Sequence, residues 1–250
     1  MFCNRAIGVF DSGIGGVSVL RELQRLMPNE DYIYLADEEH APYGEKSAEE
    51  VLQYSTVNVK RLIDLGCKAI VIACNTATAV SADHLRETFS VPIFGIEPAV
   101  KPAVKNGGNI LVLTTERTAA EERFKRLVTR YRSEEKARIY VAPAQKLVTF
   151  VERGECDSDE AAAYLADVFK EYSEVRFTSC VLGCTHFSFA KNAVTNALGY
   201  VPEFYDGSCG TAEHTRRFLE KNGLASSSEN KGEVIYLVKN NNNRHILNNK

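Results

Sequence analysis

Val71-Ile72-Ala73-Cys74-Asn75-Thr76 and Val181-Leu182-Gly183-Cys184-Thr185-His186 share one pattern: a short apolar run, a single cysteine, then two polar residues. The runs are short and rich in β-branched residues, so each reads as a buried strand of a parallel sheet. Each cysteine is then expected at the carboxyl end of a strand, where open α/β sheets gather ligands. One such thiol comes from each half of the chain. Two thiols facing each other across a cleft can flank one substrate carbon, as a two-base enzyme requires.

Outward from these runs, apolar strand candidates alternate with segments of helical period: Ala6–Phe10, Asp31–Leu35, Lys68–Ala73, Pro92–Ile96, Asn109–Thr114, Arg138–Ala142, Ser179–Leu182 and Glu203–Tyr205. Ser47 with Glu50 forms a capping-box signature, and Val51, Tyr54, Asn58, Leu62 and Leu65 repeat at helical spacing until Gly66. Such alternation predicts βαβ units and an α/β fold with mostly parallel sheets flanked by helices. Ala6–Phe10 runs into Asp11-Ser12-Gly13 and Asn109–Leu113 into Thr114-Thr115, so both halves begin alike. Residues 225–232 read as a polar linker, Val234–Val238 as a further strand, and residues 240–250 as a frayed polar tail.

The 250 residues are 44% hydrophobic and 25% charged, an ordinary globular composition. The formal charge is −3 with no basic block, which argues against nucleic acid as a partner. No apolar stretch approaches the roughly 20 residues of a membrane span, and Met1-Phe2-Cys3-Asn4-Arg5 leads directly into a strand, so neither membrane anchoring nor export is expected. Seven cysteines, an odd number without dense spacing, predict free thiols in the reducing cytoplasm.

A lone strand cysteine is most often small buried filling. Cys74 and Cys184 differ because both lie at strand ends and precede polar residues, whereas Cys3, Cys67, Cys156 and Cys209 lack that setting. An unperturbed thiol with a pKa of ~8.5 is only a few per cent thiolate at neutral pH. Tuning it to about 7 takes about 2 kcal/mol of preferential stabilisation. His186 is the nearest partner for Cys184, because residues i and i+2 share one face of an extended segment. Cys180, Cys184 and His186 can also be drawn as zinc ligands, but their spacing matches no paired CxxC framework. Asp11-Ser12-Gly13-Ile14-Gly15-Gly16 resembles a dinucleotide loop only loosely, with Ser18 at the third glycine position; its backbone donors suit a carboxylate better. Read alone, Pro42-Tyr43-Gly44 is a turn and Glu152 a surface charge near a helix end.

Taken in order, Phe10-Asp11-Ser12-Gly13-Ile14-Gly15-Gly16, Ala36-Asp37 with Pro42-Tyr43-Gly44, Ala73-Cys74-Asn75-Thr76-Ala77 and Gly183-Cys184-Thr185-His186 resemble the signature of glutamate racemases, over the chain as far as Gly223. The resemblance implies two pseudo-symmetric α/β domains, residues 1–97 with 209–239 and residues 98–208, and an active site in the cleft between them. It implies catalysis with no cofactor, neither pyridoxal phosphate nor metal, in a homodimer. Cys74 would remove the α-proton of D-glutamate and Cys184 that of L-glutamate, with Asp11 assisting Cys74, and His186 supported by Glu152 assisting Cys184. Ser12, Tyr43, Gly44, Asn75, Thr76, Thr114, Thr115, Thr118 and Thr185, together with Asp11 and His186, match substrate-holding positions.

This chain departs from the family's common pattern at Glu38-Glu39-His40, where Thr-Ala-Arg is usual, at Phe187-Ser188 in place of Tyr-Pro, and at the reordered Tyr205-Asp206-Gly207-Ser208. These departures bear on side-chain specificity. The expected activity is racemisation of glutamate for peptidoglycan synthesis. The alternatives are a two-cysteine racemase for aspartate or another amino acid, a noncatalytic amino-acid-binding protein of the same fold, and a redox or metal-binding role.

Overall fold

The computed structural model describes residues 6–132, 135–240 and 243–246. In the first part of the chain, β1 (Ile7–Asp11), α1 (Val17–Leu26), β2 (Tyr32–Ala36), α2 (Ala48–Asp64), β3 (Ala69–Ile72), α3 (Asn75–Thr88) and β4 (Ile93–Gly95) follow in order. The second part holds α4 (Val100–Asn106), β5 (Gly108–Thr114), α5 (Glu116–Ala120), α6 (Glu122–Arg132), β6 (Ala137–Pro143), α7 (Gln145–Arg153), α8 (Asp159–Phe169), β7 (Ser179–Leu182), α9 (Lys191–Leu198) and β8 (Glu203–Asp206). Then come α10 (Ser208–Lys221), β9 (Val234–Asn240) and β10 (Asn243–Ile246).

The two sheets repeat one topology. The order β2-β1-β3-β4 of the first recurs as β6-β5-β7-β8 in the second, with every one of these pairings parallel. Every residue of β1, β2, β3 and β7 is buried, as strands covered by helices on both faces must be. Side chains on one face of the first sheet pack with α2 and α3, and those on the other with α1 and α10. In the second sheet α7, α8 and α9 cover one face, while α4 and α6 cover the other.

The local signals act as expected. Ser47 and Glu50 complete a reciprocal capping box at the start of α2, and Gly66, at φ 86°, lies just beyond its end. The chain passes from the first sheet to the second between β4 and α4, and returns between β8 and α10. Gly207 lies there against the Glu97 carbonyl, an approach a Cβ would block.

The returning β9 adds to the first sheet beside β2, in parallel register from Tyr32↔Val234 to Ala36↔Val238. The tail reading needs correction: Asn243–Ile246 pair antiparallel with β9 as β10. Backbone hydrogen bonds hold that pairing, so it does not need the apolar content on which the tail reading relied. Cys3 and residues 247–250 lie outside the described residues.

Candidate active site

Both cysteines sit where the strand order reverses. From β1 the chain moves to one side for β2 and to the other for β3, which opens a crevice between the carboxyl ends of β1 and β3. The same reversal separates β5 and β7. Asp11 ends β1 and Thr114 ends β5. The cysteines follow two residues after β3 and β7, slightly beyond the expected strand ends, because each occupies the cap of the next helical turn.

Cys74 is the N-cap of α3, where its sulfur accepts the Ala77 N–H at 3.4 Å and lies 3.5 Å from Ser12 Oγ. Burial, then the nearby Asp11 charge, pushes this thiol up to about 12, against the two hydrogen bonds. Asp11, beside Cys74, accepts a hydrogen bond from Thr185, the residue after Cys184, so the two thiols border one site. Asp11 is fully buried, and burial raises its carboxyl above the usual range, partly offset by His186 and by the Gly13 N–H at 3.0 Å.

Cys184 faces a different partner: its sulfur is 3.7 Å from His186 Nδ1, while His186 Nε2 meets Glu152 Oε1 at the end of α7. This contact does not arise from an extended segment. Thr185–Phe189 form a 3-10 turn that buries Phe187 in the core of the second half, and the first turn brings His186 back beside Cys184. Burial alone would lower His186, but Cys184 and Glu152 outweigh it and hold the imidazole well above its ordinary value. Burial would likewise raise Glu152, and its bond to His186 reverses the direction.

Contacts across the cleft join the halves. Thr185 donates to Asp11 Oδ1 at 3.3 Å and the Ile14 N–H to Glu152 Oε1 at 3.4 Å. The loop's backbone donors at Gly13 and Ile14 are thus turned toward the protein's own carboxylates. The hydroxyls of Thr76, Thr115 and Thr118 meet within 2.9–3.2 Å of one another. Nearby, the buried Asn75 amide and Thr114 hydroxyl find no hydrogen-bond partner among the described residues, which leaves them able to meet a polar ligand.

Tyr43 is held from behind, its hydroxyl donating to the fully buried Asp37 at 2.6 Å. Asn58 Nδ2 and His40 Nδ1 contact the same carboxylate at 2.8 and 2.9 Å, and His40 stacks on Tyr54. Gln145, the first residue of α7, lies against Gly44 with both amide atoms buried and without a hydrogen-bond partner among the described residues. Sequence reasoning missed it; its one signal is position, three residues past the end of the Val141-Ala142 run. Cys180 is fully buried within β7, and its ligand atom does not converge with those of Cys184 and His186. A cleft of about 460 Å³, bordered by Ile14, Glu38, Pro42 and Glu152, opens at the Glu152 side.

The Asp/Glu/hydantoin racemase family matches residues 7–207. Glutamate racemase of Clostridium perfringens (strain 13 / Type A) is 43% identical over 234 residues, covering 92% of this chain and 89% of the relative. The crystal structure of Francisella tularensis glutamate racemase with D-glutamate superposes with a TM-score of 0.81 at 28% identity, over 95% of this chain and 89% of that one. Escherichia coli glutamate racemase, in complex with L-glutamate and the activator UDP-MurNAc-ala, gives 0.80 at 28% identity, over 94% and 89%. Among the described residues no helix is long and apolar enough to cross a membrane. With the repeated sheet, the paired cysteines and matches that span most of each chain, the protein belongs to the Asp/Glu/hydantoin racemase family, among its glutamate racemases.

Proposed function

We propose that this enzyme interconverts L- and D-glutamate by moving a proton between Cys74 and Cys184. The observation that carries the reading is the pair of thiols at the two sheet reversals, in one buried site and with unlike partners. The thiol is the resting form of Cys74, ready to donate to one face of the α-carbon. Cys184 would then take the proton from the other face, with His186 balancing its charge. In the reverse direction Cys74 is the base, and Asp11, kept close by burial and the Gly13 N–H, assists it. Charge that develops on the substrate carboxylate is met by preorganised donors, for which the candidates are Ser12, Asn75, Thr76, Thr114, Thr115, Thr118 and Thr185. Tyr43 and Gly44, backed by Gln145, border the substrate.

On the same reading, residues 1–97 with 209–239 and residues 98–208 act as two domains about the cleft. The enzyme works as a cytoplasmic homodimer without pyridoxal phosphate or metal and supplies D-glutamate for peptidoglycan. Proton NMR in D2O tests the chemistry. Loss of the α-proton signal is expected for both glutamate enantiomers and not for aspartate. Cys74→Ala and Cys184→Ala are each expected to abolish inversion, and inversion that survived either substitution would defeat the two-thiol reading. Light scattering checks the dimer.

A further inference from the structure

Gln145 brings an amide to the carboxyl edge of the second sheet. It follows β6, and the Ala144 N–H beside it donates to the carbonyl of Thr114 at the end of β5. The first half repeats this bond, with the Asp37 N–H donating to the carbonyl of Asp11 at the end of β1. There the buried polar group, Asp37, is met by Tyr43, Asn58 and His40. Gln145 is 6% exposed, and neither polar atom of its amide has a hydrogen-bond partner among the described residues. Asn75 and Thr114, two of the candidate substrate donors, share that condition.

The helix aims the amide at the cleft. Gln145, Val148, Thr149 and Glu152 fall at i, i+3, i+4 and i+7 of α7, so they share one face. Val148, Thr149 and Glu152 border the cleft of about 460 Å³, with Pro42 opposite them. Gln145 reaches across to Gly44, where a Cβ would collide with Gln145 Oε1. Glu152, which meets the imidazole beside Cys184, is two turns or ~10 Å along α7 from Gln145. The amide therefore lies toward Tyr43 and Gly44, away from the thiol end of the cleft.

We propose that Gln145 is a specificity residue that binds the distal carboxylate of the substrate, its Nε2 donating to one carboxylate oxygen. The inference rests on the glutamate reading. The carboxylate on the reacting carbon belongs with Asn75, Thr76 and Thr185, which directly follow the two thiols. A five-carbon diacid then places its second carboxylate farther along the cleft, where the Gln145 amide is. A donor there selects by length and by chemistry. Aspartate is one methylene shorter and stops short of the amide, and an apolar side chain would leave the buried amide without a partner. The contact is equal in the ground state and the transition state, so it acts on KM rather than on kcat.

The test is steady-state racemisation of both glutamate enantiomers by Gln145→Leu and Gln145→Glu, each compared with the parent at the same pH across the neutral range. Losing a hydrogen bond to a charged group should raise KM about 30-fold in Gln145→Leu at every pH. Gln145→Glu keeps the shape of the side chain but sets a carboxylate against the substrate's own. Its KM should be raised at least as far at the alkaline end and fall back toward the parent as the pH drops, because protonation turns the introduced group into a donor. A side chain that merely props Gly44 would give no such pH dependence. A KM near the parent's in Gln145→Leu, a loss confined to kcat, or a Gln145→Glu penalty independent of pH overturns the assignment. The parent keeps the two ideas apart. If it fails to exchange the α-proton of glutamate, the glutamate reading falls; if it racemises glutamate while Gln145→Leu keeps its KM, the Gln145 assignment falls alone.

Discussion

Gly15→Ala isolates the fit between the two halves from the chemistry they perform. A Cβ at residue 15 would lie 2.5 Å from Thr185 Oγ1, 2.7 Å from His186 Nδ1 and 2.8 Å from the His186 backbone nitrogen. The side chains can rotate, but the backbone cannot. Ordinary contact begins near 3.4 Å, so the turn carrying Thr185 and His186 must retreat by about 0.6 Å. A misplacement of 1 Å can cost about a hundredfold in rate, so a retreat of this size is worth about 15-fold in kcat/KM. Overpacking should also cost about 1–3 kcal/mol, or about 2–4 °C of Tm for each kcal/mol at this chain length. The assay is racemisation of each enantiomer well below the Tm of the variant. Enantiomers have equal free energy, so kcat/KM must fall equally in both directions. Gly210→Ala is the control: nothing lies within 4 Å of its Cβ, and the added alanine in α10 should stabilise by about 1 kcal/mol with activity intact. If Gly15→Ala kept the full kcat/KM, alignment of the halves through this turn would not set the rate.

The His186–Glu152 pair makes stability depend on pH with a definite sign. His186 has a raised folded-state pKa, so its contribution is complete below its ordinary value of about 6.5 and is lost as pH rises through the folded value. Glu152 has a lowered one, so its contribution is present above about pH 4.3 and lost as acid protonates it. The Tm advantage of the parent over His186→Gln should therefore be greatest near pH 5–6 and shrink in alkali, and an advantage that grew with pH would refute the assignment. Asp37→Asn removes the charge that receives the Tyr43, Asn58 and His40 contacts; a loss of about 1.5–3 kcal/mol in urea unfolding, with a raised KM, is expected. Unchanged stability and KM would show that the Tyr43 loop does not depend on that carboxylate.

What was legible in the sequence was local. The β3 and β7 runs, the α2 capping box and the polar residues after each cysteine all carry their meaning within a few positions. The His186 contact was anticipated for the wrong backbone, because the need to bury Phe187 is a tertiary demand that turns the chain immediately after Cys184. Asp37, Tyr43 and Asn58 meet across a separation of 21 residues that no helical or strand period encodes. Gln145 carries no signal beyond its position after a strand. The pairing of β10 rests on backbone groups, which any residue supplies, so its asparagine-rich sequence read as a tail.

The repeated strand order has a stereochemical meaning. A chain of L-residues is chiral and cannot offer a mirror plane, yet racemisation asks it to treat mirror-image molecules alike. A twofold rotation is the nearest operation available to it, and two copies of a β2-β1-β3-β4 sheet approximate one. Such an axis near the α-carbon brings the same functional group to both of its faces, so handedness is handled by duplication rather than by reflection. The unlike company of the two thiols, Ser12 and Asp11 on one side and His186 and Glu152 on the other, marks how far the copies have since drifted from that symmetry.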